Sequence, residues 1–180
     1  MKNAENYTGK RIMIIGSGGS GKSTLARQLG EILGLPVIHL DREFWNPSWV
    51  ETPKEEWREK QKNLFSSPEW IADGNFGGSM EIRLQKADTV IFLDFNRFVC
   101  LYSVIKRRLN YIGKVRPDIS EGCPERLDFE FLKWIWQYPA KSRPKTIKTI
   151  SKYKDKLEII VIKNRKALKR FIIEITEAEP

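Results

Sequence analysis

The chain has 180 residues, 41% of them hydrophobic, and a formal net charge of +9, which predicts a single domain over residues 1–180 with a sizeable core and polyanionic partners. No apolar stretch approaches the roughly 20 residues of a membrane span, and the N-terminus lacks a signal peptide's apolar segment, so we expect a cytoplasmic protein without a membrane partner. Two cysteines, Cys100 and Cys123, exclude a disulfide framework.

The first predicted elements are a strand, a glycine-rich loop and a helix. The run "RIMII" is typical of a buried parallel strand, and apolar residues recur at helical spacing from Leu25 to Leu33. Between them, "GSGGSGKST" fits the pattern G-x-x-x-x-G-K-[ST], whose backbone N–H groups surround a phosphate chain. We therefore predict an ATP-binding loop whose candidate contacts are Gly16, Ser17, Gly18, Gly19, Ser20, Gly21, Lys22, Ser23 and Thr24.

Two side chains of this loop have predicted chemical roles. Lys22 would reach the β- and γ-phosphates, as a catalytic residue, and Ser23 would ligate Mg²⁺. The helix N-terminus that follows favours anions through its unpaired N–H groups and its dipole. An ordinary glycine-rich turn is the alternative, but strand, loop and helix are the context that phosphate binding requires.

Five apolar runs end in polar or glycine residues, and helical patterns lie between them. This alternation predicts an α/β fold with a five-stranded parallel sheet covered on both faces. Ligands of such sheets bind outside the carboxyl ends of the strands, where the sequence has Asp41, Asp73 and Asp94. Each is a candidate for phosphate or metal chemistry, although each could instead cap the following segment.

The segment "HLDREFWNPSWVE" follows the second predicted strand. Asp41 could accept a hydrogen bond from an acceptor hydroxyl or act as its base, which makes it a candidate catalytic and substrate residue. Trp45 and Trp49 could stack on an acceptor ring, or they could simply pack in the core or the cover. His39, the single histidine, is expected to be packed, and we assign it no catalytic role.

A long helical excursion is predicted between the last two strands, over about residues 97–150. Its first helix has an apolar stripe through Leu101, Ile105, Leu109 and Ile112, and its second is expected to end near Pro139. The end of the first helix is strongly basic. Arg107 and Arg116 could close over the γ-phosphate as a lid, whereas about half of the arginines here are expected to be merely solvated.

With these motifs the chain resembles the nucleoside monophosphate kinase group of P-loop proteins, and most closely the bacterial DNA topology modulation, or adenylate-kinase-related, proteins. The resemblance rests on seven segments: "GSGGSGKST", "HLDREFWNPSWVE", "WIADGNFGGSMEIRL", "ADTVIFLD", "KRR", "RPD" and "EGCPERLDFEFLKWIW". It implies a P-loop NTPase three-layer fold, binding of ATP and Mg²⁺, and phosphoryl transfer to a small acceptor.

The resemblance also changes the metal assignment. A hydrophobic run followed by aspartate favours Asp94 as the second metal residue, but the aspartate of a D-G motif holds a Mg²⁺-bound water in the related kinases. Asp73 matches that motif and is therefore the first choice, with Asp94 second. The resemblance further implies that the loop around Asn164 borders the adenine, although Asn164 could equally begin the final helix.

Two departures from the family pattern concern the acceptor and the lid. The related kinases continue D-G with phenylalanine, proline and arginine, whereas here the next arginine is Arg83, the candidate substrate contact. The acceptor pocket is therefore expected to differ from one for AMP. In the basic helix, Ser103 replaces the first of two arginines and Arg107 matches the second; Arg108, Arg116, Arg126 or Arg143 are possible replacements.

Two functions follow from these observations. The first is an ATP-dependent kinase acting on a nucleotide, a nucleoside or a similar small acceptor. The alternative is a nucleic-acid-associated ATPase or regulator that affects DNA topology. The sequence contains no recognisable nucleic-acid module, and its basic residues cluster beside the predicted active site. The kinase is therefore favoured.

Overall fold

The computed structural model describes residues 9–111, 118–124 and 128–178. Its centre is the five-stranded parallel sheet that the sequence predicts, and the strand order is β2-β5-β1-β6-β7. The sheet strands are β1 (Arg11–Gly16), β2 (Val37–His39), β5 (Trp70–Asp73), β6 (Thr89–Leu93) and β7 (Glu158–Ile162). Two short strands form a separate antiparallel hairpin, β3 (Trp45–Asn46) and β4 (Val50–Glu51).

Helices cover both faces of the sheet. In chain order they are α1 (Lys22–Leu33), α2 (Leu40–Phe44), α3 (Lys54–Leu64), α4 (Met80–Leu84), α5 (Arg97–Asn110), α6 (Phe129–Ser151) and α7 (Arg165–Ala178). None of the helices in the described ranges is both long and apolar enough to cross a membrane.

The core has two halves because successive side chains of a strand point to opposite faces. On β1, Ile12 and Ile14 pack with residues of α1, α5 and α7, while Met13 and Ile15 pack with α3 and α4. All four side chains are at most 1% exposed. A strand that is apolar on every residue therefore lies between two helical layers, which is the predicted three-layer α/β fold.

The strand order brings three chain segments together at one edge of the sheet. β5 lies between β2 and β1, and its last residue, Asp73, is in register with His39 on one side and Ile14 on the other. The loop after β1 leads directly into α1. The carboxyl end of β5 is therefore bordered by the end of β2 and by the glycine-rich loop.

The predicted end of the second excursion helix is wrong. α6 continues through Pro139 and Pro144 to Ser151. Each proline removes one helical hydrogen bond and costs about 3 kcal/mol in an isolated helix. The helix persists because it buries residues on both sides of the prolines, among them Tyr138 and Ile150.

The predicted apolar stripe of α5 is found only in part. Leu101 packs against the core, but Ile105 and Leu109 are 47% and 65% exposed, and the buried residues are Cys100 and Val104. Ile112 lies outside the described residues. The smaller side chains of Cys100 and Val104 face the glycine-rich loop, which approaches α5 too closely for a bulky stripe.

Candidate active site

The glycine-rich loop is packed closely between α5 and α6. Gly19 has φ +75°, and a Cβ there would overlap the Cys100 carbonyl oxygen and lie 2.8 Å from Val104 Cγ2. A Cβ on Gly18 would lie 2.6 Å from Phe131 Cζ. A side chain is therefore excluded at Gly19 by the backbone of α5, whereas a side chain at Gly18 would require the Phe131 ring to move.

Two polar side chains of the glycine-rich loop are placed where they could bind an anion. The Ser20 side chain lies in the cavity wall, and its buried Oγ has no hydrogen-bond partner among the described residues. The Lys22 ammonium donates to the Ser17 carbonyl oxygen at 3.0 Å, so its side chain folds back over the loop. A buried hydroxyl without a partner and a cation at a helix N-terminus fit a phosphate chain.

The electrostatic surroundings of Lys22 also fit an anionic ligand. Burial lowers the pKa of the Lys22 ammonium, while the nearby Asp41 and Asp73 carboxylates oppose this effect. Arg107 lowers the pKa of Lys22 further through charge repulsion. A phosphate bound between the Lys22 and Arg107 cations would relieve that repulsion.

Ser23 and Asp73 meet at the carboxyl end of β5. Ser23 Oγ donates to Asp73 Oδ2 at 2.6 Å, and His39 Nδ1 lies 2.5 Å from the other carboxylate oxygen, Oδ1. In the described ranges no three His, Cys, Asp or Glu side chains form a metal site of their own. The oxygens of Ser23 and Asp73 fit Mg²⁺, which is commonly held by one or two protein ligands together with substrate phosphates.

Asn75 fixes the start of the glycine-rich loop to the segment after β5. Its Oδ1 accepts from the Gly16 N–H at 3.0 Å, and its Nδ2 donates to the Gly16 carbonyl oxygen at 2.7 Å. This two-point contact was not predicted, because the pairing of β1 with β5 brings together residues that are far apart in the sequence.

The Arg83 side chain contacts the segment after β5 and does not line the cavity. This position corrects its assignment as a substrate contact. The side chain is fully buried, donates from Nη2 to the Asn75 carbonyl oxygen at 2.6 Å, and donates from Nη1 to Gln61 Oε1. Gln61 Nε2 in turn donates to Ser79 Oγ at 2.7 Å. Burial lowers the pKa of Arg83 to about 9. The guanidinium therefore keeps its charge at neutral pH.

Asp94 forms a two-point ion pair with Arg143 of α6. Arg143 Nε and Nη2 each donate to one Asp94 carboxylate oxygen at 2.7 Å, and this pairing raises the pKa of Arg143. Neither Asp73 nor Asp94 is among the residues of the cavity wall, but Arg143 occupies both Asp94 oxygens. The assignment of Asp94 as a metal residue is therefore not supported, and neither is a phosphate contact by Arg143.

A cavity of about 630 Å³ lies next to the glycine-rich loop. Residues Gly18 to Thr24 contribute to its wall, while Gly16 and Ser17 do not. The wall also contains four candidates from other parts of the sequence: Asp41, Trp45, Trp49 and Arg107. The structure thus brings the candidate phosphate loop and the candidate acceptor residues together around one space.

The hairpin that contains Trp45 and Trp49 is hydrogen-bonded to residues 118–124 of the excursion. The Ser48 N–H donates to the Gly122 carbonyl oxygen at 3.0 Å, and Trp49 Nε1 donates to the Pro124 carbonyl oxygen at 3.2 Å. Cys123 Sγ lies 3.2 Å from the Asn46 carbonyl oxygen, which it approaches as a donor. Sequence reasoning did not foresee this contact between distant segments.

Asn164, which the resemblance places beside the adenine, lies directly before the start of α7. Asn164 accepts the Ala167 N–H at 2.9 Å through Oδ1, so its side chain caps α7, the alternative that the sequence left open. The next residue, Arg165, lies in the cavity wall and donates to Ser103 Oγ at 2.8 Å. Arg116 and Arg126 lie outside the described residues.

Comparison with solved structures gives the fold class. No protein-family model and no curated protein sequence matches the chain. A shikimate kinase from Acinetobacter baumannii, in complex with shikimate, superposes with a TM-score of 0.56 at 18% identity, over 94% of this chain and 92% of that chain. A gluconokinase from Sinorhizobium meliloti 1021 superposes with a TM-score of 0.52 at 14% identity, over 94% and 90%. The chain therefore has the α/β fold of these two kinases.

Proposed function

We propose that the protein is an ATP- and Mg²⁺-dependent kinase that transfers the γ-phosphate to a nucleotide, a nucleoside or a similar small acceptor. The observation that carries this proposal is the shared cavity, in which the glycine-rich loop with Lys22 and Ser23 faces Asp41 and Trp45. The similarity of fold to a shikimate kinase and a gluconokinase supports transfer to a small hydroxylated molecule.

The phosphate-binding half of the reaction would depend on charge neutralisation, because phosphoryl transfer has a loose transition state with charge on the peripheral oxygens. Lys22 and Arg107 would hold these oxygens from two sides. Ser23 and Asp73 would hold Mg²⁺, which supplies positive charge to the phosphates when it is bound. Asp73 would act through a bound water, as the resemblance to nucleoside monophosphate kinases implies.

The acceptor half would depend on Asp41 and the hairpin. The Asp41 carboxylate, at the start of α2, would orient the acceptor hydroxyl and receive its proton as the oxygen attacks the γ-phosphorus. Trp45 and Trp49 have ring centroids 5.5 Å apart in an edge-to-face arrangement. Their exposed faces would pack against an acceptor ring.

A nucleic-acid-associated ATPase is the competing proposal. It is supported by the net charge of +9 and by the resemblance to DNA topology modulation proteins. Against it, Arg107 lies in the cavity wall, and its positive charge is close enough to lower the pKa of Lys22. A residue that binds the same phosphate as Lys22 would have this position. A basic surface that only binds DNA would not need this arrangement.

A screen with γ-labelled ATP tests the kinase. Nucleosides, nucleotides and small alcohols are offered to the wild type and to Asp41→Asn, and label transfer is measured with and without Mg²⁺. We expect transfer to one acceptor class that requires Mg²⁺ and is strongly reduced by Asp41→Asn. ATP hydrolysis that is stimulated by DNA, without transfer to any acceptor, would favour the competing proposal.

A further inference from the structure

The sheet register brings a histidine beside the proposed metal-binding carboxylate. His39 is the last residue of β2 and Asp73 is the last residue of β5, and the two are direct partners in the parallel ladder. Both side chains are largely buried, with exposures of 12% and 6%. The contact between them is therefore built into the sheet and does not depend on a mobile loop.

The two Asp73 carboxylate oxygens have separate partners. Oδ1 lies 2.5 Å from His39 Nδ1, and Oδ2 accepts the Ser23 hydroxyl at 2.6 Å. An ionised carboxylate can only accept hydrogen bonds, so Nδ1 is the ring nitrogen that carries a proton and donates. One donor on each oxygen leaves the carboxylate little freedom to rotate about its Cβ–Cγ bond.

This orientation matters for Ser23 because a serine hydroxyl has one proton and two lone pairs. When the proton is directed at Asp73 Oδ2, the lone pairs face away from the carboxylate. A lone pair aimed at the phosphate loop is what a Mg²⁺ ligand at Ser23 requires. A rotated carboxylate would redirect the Ser23 proton and with it the lone pairs.

We propose that His39 is a positioning residue for the metal–nucleotide site: its Nδ1–H holds the Asp73 carboxylate so that Oδ2 orients the Ser23 hydroxyl toward the metal. This inference rests on the nucleotide- and metal-binding part of the proposed function. His39 is not in the cavity wall and is not a catalytic residue. Outer-shell donors of this kind commonly change metal affinity by about 10- to 100-fold.

Two substitutions separate this role from simple packing. His39→Asn keeps an N–H close to the position of Nδ1, whereas His39→Leu has a similar size and removes the donor. Mn²⁺ replaces Mg²⁺ as a paramagnetic probe, and its binding to the protein with a non-hydrolysable ATP analogue is followed by electron paramagnetic resonance. Circular dichroism and thermal unfolding verify that each variant is folded. If the leucine variant does not fold, His39→Ala removes the same donor.

We expect His39→Leu to weaken Mn²⁺ binding about 10- to 100-fold, while His39→Asn keeps most of the wild-type affinity. In an Asp73→Asn background, the leucine substitution should add little, because the carboxylate that it positions is gone. Equal affinities in the wild type and the leucine variant, or equal losses in the asparagine and leucine variants, would overturn the positioning role.

This binding measurement does not depend on finding an acceptor. If the wild type binds the Mn²⁺–nucleotide complex but no acceptor is phosphorylated, the kinase proposal fails and the role of His39 is still decided by its variants. If the wild type does not bind the complex, both proposals are wrong.

Discussion

The two sides of the cavity are built differently. The phosphate side, which we define as residues 16–24 and 73–83, is held by part-buried hydrogen bonds of Asn75 to Gly16 and by buried ones, from Arg83 to Gln61 and from Gln61 to Ser79. On the acceptor side, residues 41–51 and 118–124, exposed or part-buried side chains donate to backbone carbonyl oxygens, and the Ser48 N–H donates to the Gly122 carbonyl oxygen. Buried polar contacts of the first kind are costly to disturb, because a group left without its partner keeps its desolvation penalty.

Left-handed backbone at residues other than glycine is found on both sides, at Phe76 (φ 37°) on the phosphate side and at Ser48 and Trp49 on the acceptor side. Ser48 and Trp49 have φ of 64° and 62°, in the left-handed region that side chains larger than glycine rarely adopt. The hydrogen bonds of this hairpin to residues 118–124 maintain that conformation. The two sides are held by separate sets of hydrogen bonds, so substitutions on them should affect different kinetic constants.

Lys22→Ala should have the largest effect. Loss of the ammonium removes a cation from the transferring phosphate, and we expect turnover to fall by about 1000-fold. The increase in melting temperature that Mg-ATP gives the wild type should be mostly lost. Differential scanning fluorimetry and steady-state kinetics measure both effects, with Lys145→Ala as a control because Lys145 is exposed and outside the cavity wall. Undiminished Mg-ATP stabilisation of a folded Lys22→Ala protein would refute the phosphate-loop assignment.

Asp73→Asn and Asp94→Asn should affect different properties of the protein, the first its turnover and the second its stability. We expect Asp73→Asn to lower Mg²⁺-dependent turnover by about 100-fold, whereas Asp94→Asn should mainly lower stability. That loss should be roughly 1 kcal/mol, since the paired Arg143 side chain is 39% exposed and solvent screens it. Mg²⁺ titrations of activity and urea unfolding separate the two effects. A greater Mg²⁺ defect in the Asp94 variant would restore the simpler sequence rule.

The elements of the sheet could be predicted because their signal is local. Each of the five strands is a short apolar run with a polar or glycine boundary, and the phosphate loop has a fixed spacing. The buried face of α5 and the end of α6 were less predictable. The burial of Cys100 and Val104 depends on a neighbouring loop backbone, and the persistence of α6 through Pro139 depends on packing on both sides of it.

The site could be predicted only where one segment contains the chemistry. Asp73 was chosen from a motif, but its pairing with His39 depends on the order and register of two strands that are separated by more than 30 residues. Arg83 was assigned to substrate because it is the next arginine after the D-G motif. Its partner Gln61 belongs to another helix, and nothing local marks the arginine as buried. Long-range contacts of buried polar groups therefore account for these errors.

Arg107 of α5 lies in the cavity wall but belongs to neither of the two sides defined above. Its substitution should have an intermediate effect. If the guanidinium binds the transferring phosphate, Arg107→Ala should lower turnover at saturating ATP by roughly 10- to 100-fold with a smaller change in nucleotide affinity. Arg107→Lys should recover only part of this, because lysine lacks the two-point geometry. Full phosphoryl transfer in the alanine variant, together with a loss of DNA binding in salt titrations, would instead support the nucleic-acid proposal.

Trp45→Ala tests the acceptor side and should have the smallest effect. Trp45 packs edge-to-face against Phe44 at 5.0 Å and presents part of its ring to the cavity. Loss of one aromatic contact removes about 0.5–1.5 kcal/mol, which corresponds to a rise in the acceptor KM of up to about 10-fold. The KM for ATP should remain close to that of the wild type, because the phosphate side has its own buried hydrogen bonds.

Trp136→Ala is a matched control, since this exposed tryptophan of α6 lies outside the cavity wall. Equal increases in both KM values would mean that the two sides do not act separately, and the contrast between them would have to be abandoned.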